Sequence, residues 1–181
     1  MRKLICVVAI ATLALVGCNS VPYKQAKEDW KTHQDVADWL DGNFRFDPSR
    51  QKEVLRTMKA SGPSDVVLRS PEQVYESGGY CADSANFAYQ NLRRLDTSYK
   101  PRFVFIENAK GRPHHWVTAF EHQEKIYVMD YGTGSKWSAM QGLHGPYNEL
   151  SEYKAYLSSL NLPGFGVGSV YYREFPGKVT E

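Results

Sequence analysis

The apolar pattern of this chain turns from helical to strand period near residue 96, and that change limits the folds open to it. Before it, apolar residues recur at helical spacing. Trp30, Val36, Ala37 and Leu40 mark a helix from about 24 to 42, and Val54, Leu55 and Met58 mark a second from about 50 to 60, with Ser49 as its cap. Pro48 pushes Asp47 out of the helical region between them. Ser70-Pro71 opens a short third helix that Gly78-Gly79 stops, and the next begins at Cys81, with Ala85, Ala88, Tyr89, Leu92 and Leu95 on its apolar face. After residue 100 the alternation is that of strands, over 102–107, 116–121 and 125–130, then a helix over 148–160 and a closing strand over 167–175. Helices first and an antiparallel sheet afterwards make an α+β domain. No repeat, linker or low-complexity stretch divides residues 24–181, so they read as one domain.

The first twenty residues belong to something else. Arg2-Lys3 precedes an apolar run from Leu4 to Val16, and Leu15-Val16-Gly17-Cys18 closes it. This is a secretory signal, shorter than the roughly 20 residues of a membrane-spanning helix. Leu-Val-Gly-Cys resembles a bacterial lipobox. The resemblance implies a signal over residues 1–17, a lipid on Cys18 that holds the chain to a bilayer, and a tether over 18–23. Asn19, where an inner-membrane protein often has aspartate, points to the outer membrane, facing the periplasm. Losing Arg2 and Lys3 brings the 22 basic residues level with the 20 acidic ones. No basic stripe of the kind that binds nucleic acid is present.

With Cys6 in the signal and Cys18 acylated, Cys81 is left as an unpaired thiol in an oxidising compartment. It is either a buried small hydrophobe or a thiol in use. Its setting favours use, because Gly78-Gly79 followed by a helix puts Cys81 at a helix N-terminus. Unpaired N–H groups and the helix dipole there favour a thiolate and can hold an oxyanion. Asp83 suits the first turn as a helix-start residue. A thiolate also needs a proton carrier oriented by a third group. His114 and His115 open one strand and Asp130 ends the next. Counted outward from a turn near Gln123, His115 and Asp130 lie within about two residues of the same depth, which permits a cross-strand pair. Alternation sets His114, Trp116 and Thr118 on one face of the strand and His115, Val117 and Ala119 on the other.

Gly-Tyr-Cys-Ala-Asp, His-His-Trp-Val and Tyr-Val-Met-Asp-Tyr, in that order over about residues 70–132, resemble the motif blocks of the transglutaminase-like superfamily of papain-type thiol enzymes. The resemblance implies a papain-like core in which the helix bearing the nucleophile packs on an antiparallel sheet. It implies Cys81 as nucleophile, a histidine as acid and base, and Asp130 as its orienting residue. Matching His-x-Trp selects His114, with His115 as the alternative base. Gln73 is either a surface glutamine of its short helix or, as the resemblance allows, the counterpart of the oxyanion-holding glutamine of papain-type enzymes. No cofactor is implied, and His33, His114, His115, His122 and His144 show no metal-ligand spacing. The expected activity is a thiol hydrolase, a cysteine peptidase or amidase, acting on protein or peptide in the cell envelope through an acyl-enzyme. The alternatives are acyl transfer to an amine and a non-catalytic binding module of the same fold.

Overall fold

The first helix of the chain is two helices, and the break shows local capping overriding apolar period. The structure, a computed structural model, describes residues 21–180; the signal, Cys18 and the first half of the tether lie outside them. Helix α1 spans Tyr23–Asp29 and α2 spans His33–Asn43. Between them the Asp35 carboxylate accepts from the N–H groups of Lys31 (2.9 Å) and Thr32 (2.8 Å). Thr32 Oγ1 in turn accepts from Asp35 N–H, closing a capping box that starts a new helix. Helix α3 runs Pro48–Ser61. Asp47 caps it in place of Ser49, its Oδ1 accepting from Ser49 N–H (2.9 Å) and Arg50 N–H (3.1 Å). Helix α4 is Pro71–Ser77, ended by Gly78 at φ 69°. A side chain at Gly78 would put its Cβ 2.0 Å from the Arg45 carbonyl oxygen, so only glycine lets this turn close against the chain. Helix α5, Cys81–Leu95, follows at once.

The second half builds one antiparallel sheet from β1 (Arg102–Asn108), β2 (His115–His122), β3 (Lys125–Asp130), β4 (Gly142–Tyr147) and β5 (Val167–Tyr172), in the order β4-β3-β2-β1-β5. Strand β4 has no counterpart in the sequence reading. Its Gly-Leu-His-Gly-Pro-Tyr carries none of the β-branched alternation of a strand, and only an edge position tolerates its proline. Strand β5 leaves the sheet at Tyr172, three residues before the expected end. Helix α6, Leu150–Ser159, lies in the β4–β5 connection.

Alternation along the strands gives the sheet two buried faces. Phe87, Ala88 and Leu92 of α5 meet Phe120 and Met129 on one. Tyr153 and Leu157 of α6 meet Val104, Ile106, Val117, Ala119 and Val128 on the other. Thr118 Oγ1 donates to the Ala85 carbonyl (2.6 Å), locking α5 to β2.

Asp83 does more than start a helix. Fully buried, it accepts from Tyr80 N–H (3.2 Å), Arg50 Nε (3.0 Å) and Arg69 N–H (2.8 Å), joining α3, α5 and the segment before α4. Arg50 is itself buried, so removing Asp83 leaves its guanidinium with only the exposed Glu53 carboxylate (3.2 Å) and the Val67 carbonyl as partners. Asp83→Ala is expected to cost about 3–5 kcal/mol in denaturant unfolding. A loss below about 1 kcal/mol would show that the pair is wet.

Candidate active site

Three elements converge where α5 begins. Cys81 is the first residue of α5, behind a turn at Gly78-Gly79, and it lines a cleft of about 430 Å³. Its place fits the sequence expectation. The first N–H groups of a helix have no partner within it, and those of α5 open beside the sulfur. Asp83 occupies the first turn but turns inward to Arg50, away from the thiol's chemistry.

The histidine that meets Asp130 is His115. Its Nε2 lies 2.7 Å from Asp130 Oδ1, with both side chains shut away from solvent. Strands β2 and β3 pair with His122 opposite Lys125 and Thr118 opposite Met129. Carried further, the same register sets Asp130 opposite Val117 and makes His115 its diagonal neighbour on the same face. His114, favoured by the His-x-Trp match, points to the other face. Its Nδ1 accepts from Asn108 N–H (3.1 Å), its ring lies 5.2 Å from that of Phe105, and it lines the cleft. The structure thus corrects the pairing expected for His114: strand parity separates it from Asp130.

Gly132 follows two residues after Asp130, past the end of β3. A Cβ there would stand 2.3 Å from Cys81 Cα. The missing side chain is what lets the start of α5 come this close to the end of β3. With Nε2 engaged by Asp130, Cys81 stands near enough to the same ring to help raise its pKa.

The charge state of His115 follows from these contacts. Burial alone would lower its pKa, but the Asp130 charge and hydrogen bond, then Cys81, outweigh burial and push it up to about 10. His115 is therefore an imidazolium at neutral pH. Its partner is fixed by a residue that the sequence reading missed. Tyr153, fully buried on α6, donates its hydroxyl to Asp130 Oδ2 (2.9 Å). Burial first, and then Asp130, push the phenol well above its usual range, so it stays a donor. The signal was faint: Tyr153 and Leu157 lie one turn apart on an apolar stripe, and a buried tyrosine hydroxyl needs a partner. Nothing in the sequence says which.

A histidine whose pKa rises on folding stabilises the folded state below its unfolded value of about 6.5. That contribution is lost as pH climbs toward about 10. Unfolding free energy should fall between about pH 6.5 and 10 in the native protein, and Asp130→Asn should flatten that fall. Equal slopes in denaturant titrations of the two proteins would rule out the coupling.

Gln73 takes no part in the site. It is exposed, and its Oε1 accepts from Ser70 N–H (2.9 Å) in the capping box of α4, correcting its expected oxyanion role. Tyr80 and Cys81 lie at the cleft with Trp116 and Phe105. Of the aromatic tail, Tyr171 and Phe175 line the cleft, Phe165 is core, and Tyr172 packs under the Arg102 guanidinium, 3.6 Å from its ring centroid. Among the described residues, no three His, Cys, Asp or Glu side chains gather as a metal site would require.

Fold and site together define an α+β domain that sets a cysteine at a helix start against a buried His–Asp pair. No protein-family model matches the sequence, and no curated protein matches it. Among solved structures, the chain is similar to Legionella pneumophila LapG. The calcium-bound form is 23% identical with a TM-score of 0.38, over 62% of this chain and 60% of that one. The EGTA-treated form is 21% identical with a TM-score of 0.37, over 55% of this chain and 50% of that one. The chain spans between half and three-fifths of the length of these two structures. At such scores the chemistry of the site rests on its own geometry.

Proposed function

We propose that this protein is a thiol hydrolase, a cysteine peptidase or amidase of the transglutaminase-like type, that cuts an amide bond through an acyl-enzyme at Cys81. The observation that carries the reading is the constellation itself: a cleft-lining cysteine at a helix start, coupled to a His115 held 2.7 Å from Asp130. An imidazolium beside a thiol favours the thiolate. The Cys81 sulfur attacks the amide carbonyl carbon, and the N–H groups at the start of α5 receive the oxyanion. His115 passes its proton to the leaving nitrogen as the C–N bond breaks, leaving a thioester on Cys81. The neutral His115 then takes a proton from water, whose oxygen attacks the thioester. The acid leaves, and the proton returns the imidazolium–thiolate pair. Asp130 orients the ring throughout, and Tyr153 holds Asp130.

The lipobox-like Leu15-Val16-Gly17-Cys18 supports a setting at the bacterial envelope, with the domain tethered through an acylated Cys18 and facing the periplasm. Its substrate there is a protein or peptide within reach of the membrane.

Intact-mass measurement during turnover of a mixed peptide library tests the chemistry. The expected result is a transient adduct on Cys81 equal to the acyl half of a peptide, absent in Cys81→Ser, with the free acid as product. Transfer of the acyl group to an added primary amine in place of water would make the protein a transferase. Peptides that bind and are never cleaved would make it a binding module.

A further inference from the structure

The cleft has two unlike walls, and the chemistry above uses neither. One comes from α3 and the turn after it: Val54, Leu55, Met58 and Val66. Leu55 lies on the apolar stripe of α3 yet is 40% exposed, because it faces the cleft and not the core. The other wall comes from β1, the β1–β2 connection and the end of β5, and carries charge in Glu107, Arg112 and Arg173. The Arg173 guanidinium lies 5.0 Å from the ring centroid of Phe105 and 6.0 Å from that of Trp116, so an aromatic floor holds it in place. Among the described residues, no carboxylate comes within salt-bridge distance of Arg112 or Arg173. Glu107, the single acid of this wall, turns to β5, where its Oε2 accepts from Ser169 N–H (3.5 Å).

Two guanidiniums against one engaged carboxylate leave the sheet wall positive. The same field reaches His114. Burial lowers its pKa first, Arg112 and Arg173 lower it further, and Glu107 opposes them without reversing the shift. His114 is thus a neutral ring in the cleft, and the cationic character comes from the two arginines.

Resting on the thiol-hydrolase reading, we propose that the cleft selects peptides carrying a carboxylate next to a bulky apolar side chain. The α3 wall receives the apolar group, and Arg112 and Arg173 receive the carboxylate. Guanidinium forks match a carboxylate in geometry as well as charge. On the α3 wall Gln51 is the single polar side chain, and Val54, Leu55, Met58 and Val66 give an apolar side chain its partners. The carboxylate can be that of an internal Asp or Glu or the free C-terminus of a short peptide, and the test separates the two.

Binding is read by calorimetry in Cys81→Ala protein, which consumes no peptide. The probes are end-blocked peptides with Leu beside Glu, Gln or Lys, and the Leu-Gln peptide with a free C-terminal carboxylate. The Glu peptide should bind about tenfold more tightly than its Gln isostere at low salt. The preference should shrink as salt screens the exposed arginines and vanish in Arg112→Gln/Arg173→Gln. Tight binding of the free-carboxylate peptide in place of the Glu peptide assigns the wall to a chain terminus. Leu55→Ser should weaken Leu peptides and leave Ala peptides unchanged. Equal binding of all four peptides, the free-carboxylate one included, or a preference that survives loss of both arginines, overturns the assignment. A carboxylate preference with no turnover by the native protein would sink the hydrolase reading alone, whereas turnover without the preference would sink this one alone.

Discussion

His115→Gln should abolish the fast alkylation of Cys81, and His114→Ala should leave it intact. The expectation follows from where the two rings lie. Imidazolium character on His115 comes from Asp130 at 2.7 Å and from the thiol itself, whereas His114 stands on the other face of β2 with Asn108 as its hydrogen-bond partner. In the native protein, alkylation by iodoacetamide at neutral pH should be fast, because a charged imidazole beside a thiol makes it a better nucleophile. In His115→Gln alkylation should slow, and turnover should fall about 100-fold or more, the size of a lost general acid–base. Glutamine keeps a polar partner for the buried Asp130, and circular dichroism checks that the fold survives. A native alkylation rate in His115→Gln, or a slowed one in His114→Ala, would reverse the assignment.

Gly132→Ala is expected to inactivate the site without touching any reacting group. The added methyl carbon would stand 2.3 Å from Cys81 Cα and 3.0 Å from its carbonyl oxygen. Both are backbone atoms at a helix start, so neither can swing aside as a flexible side chain would. The start of α5 must lift from the sheet or the β3–β4 connection must shift. A displacement near 1 Å at a reacting atom costs about 100-fold in rate, and overpacking of this kind costs about 1–3 kcal/mol in stability. Gly42→Ala is the contrast. It lies inside α2 with nothing within 4 Å of an added Cβ, and there alanine should stabilise by about 0.5–1 kcal/mol. The measurement is kcat/KM on one peptide substrate beside Tm for both variants. Full activity in Gly132→Ala would show that the thiol does not depend on this contact.

Much of the architecture was legible because single residues enforce it locally. Gly78-Gly79 and the helix after them put Cys81 at a helix start from sequence alone, and the period change after residue 96 placed three of the five strands close to their observed limits. The misses have physical causes. The apolar period running through Trp30 hid the α1–α2 break, because a capping box at Thr32 and Asp35 acts within one turn whereas period is read over several. Strand β4 was invisible because an edge strand is specified by the neighbour it pairs with more than by its own composition. Tyr153 and Arg50 read as ordinary helix residues, since their partners Asp130 and Asp83 come from distant parts of the chain.

The choice of histidine shows where sequence stops. The candidates, their order and their strands were all readable: a thiol at a helix start, two histidines opening a strand, and an aspartate ending the next. What decides between the histidines is the turn joining the strands. Centred on Gln123 alone, it would set His114 on the face of Asp130. The observed turn has two residues, Gln123 and Glu124, both in the left-handed region at φ 51° and 60°, with His122 paired to Lys125. That half-residue shift exchanges the faces and brings His115 to Asp130, because strand side chains alternate with a period of two. Neither turn residue is the glycine or asparagine that usually announces such a turn. Packing of the whole hairpin between α5 and α6 holds them there, and only the assembled sheet fixes the register.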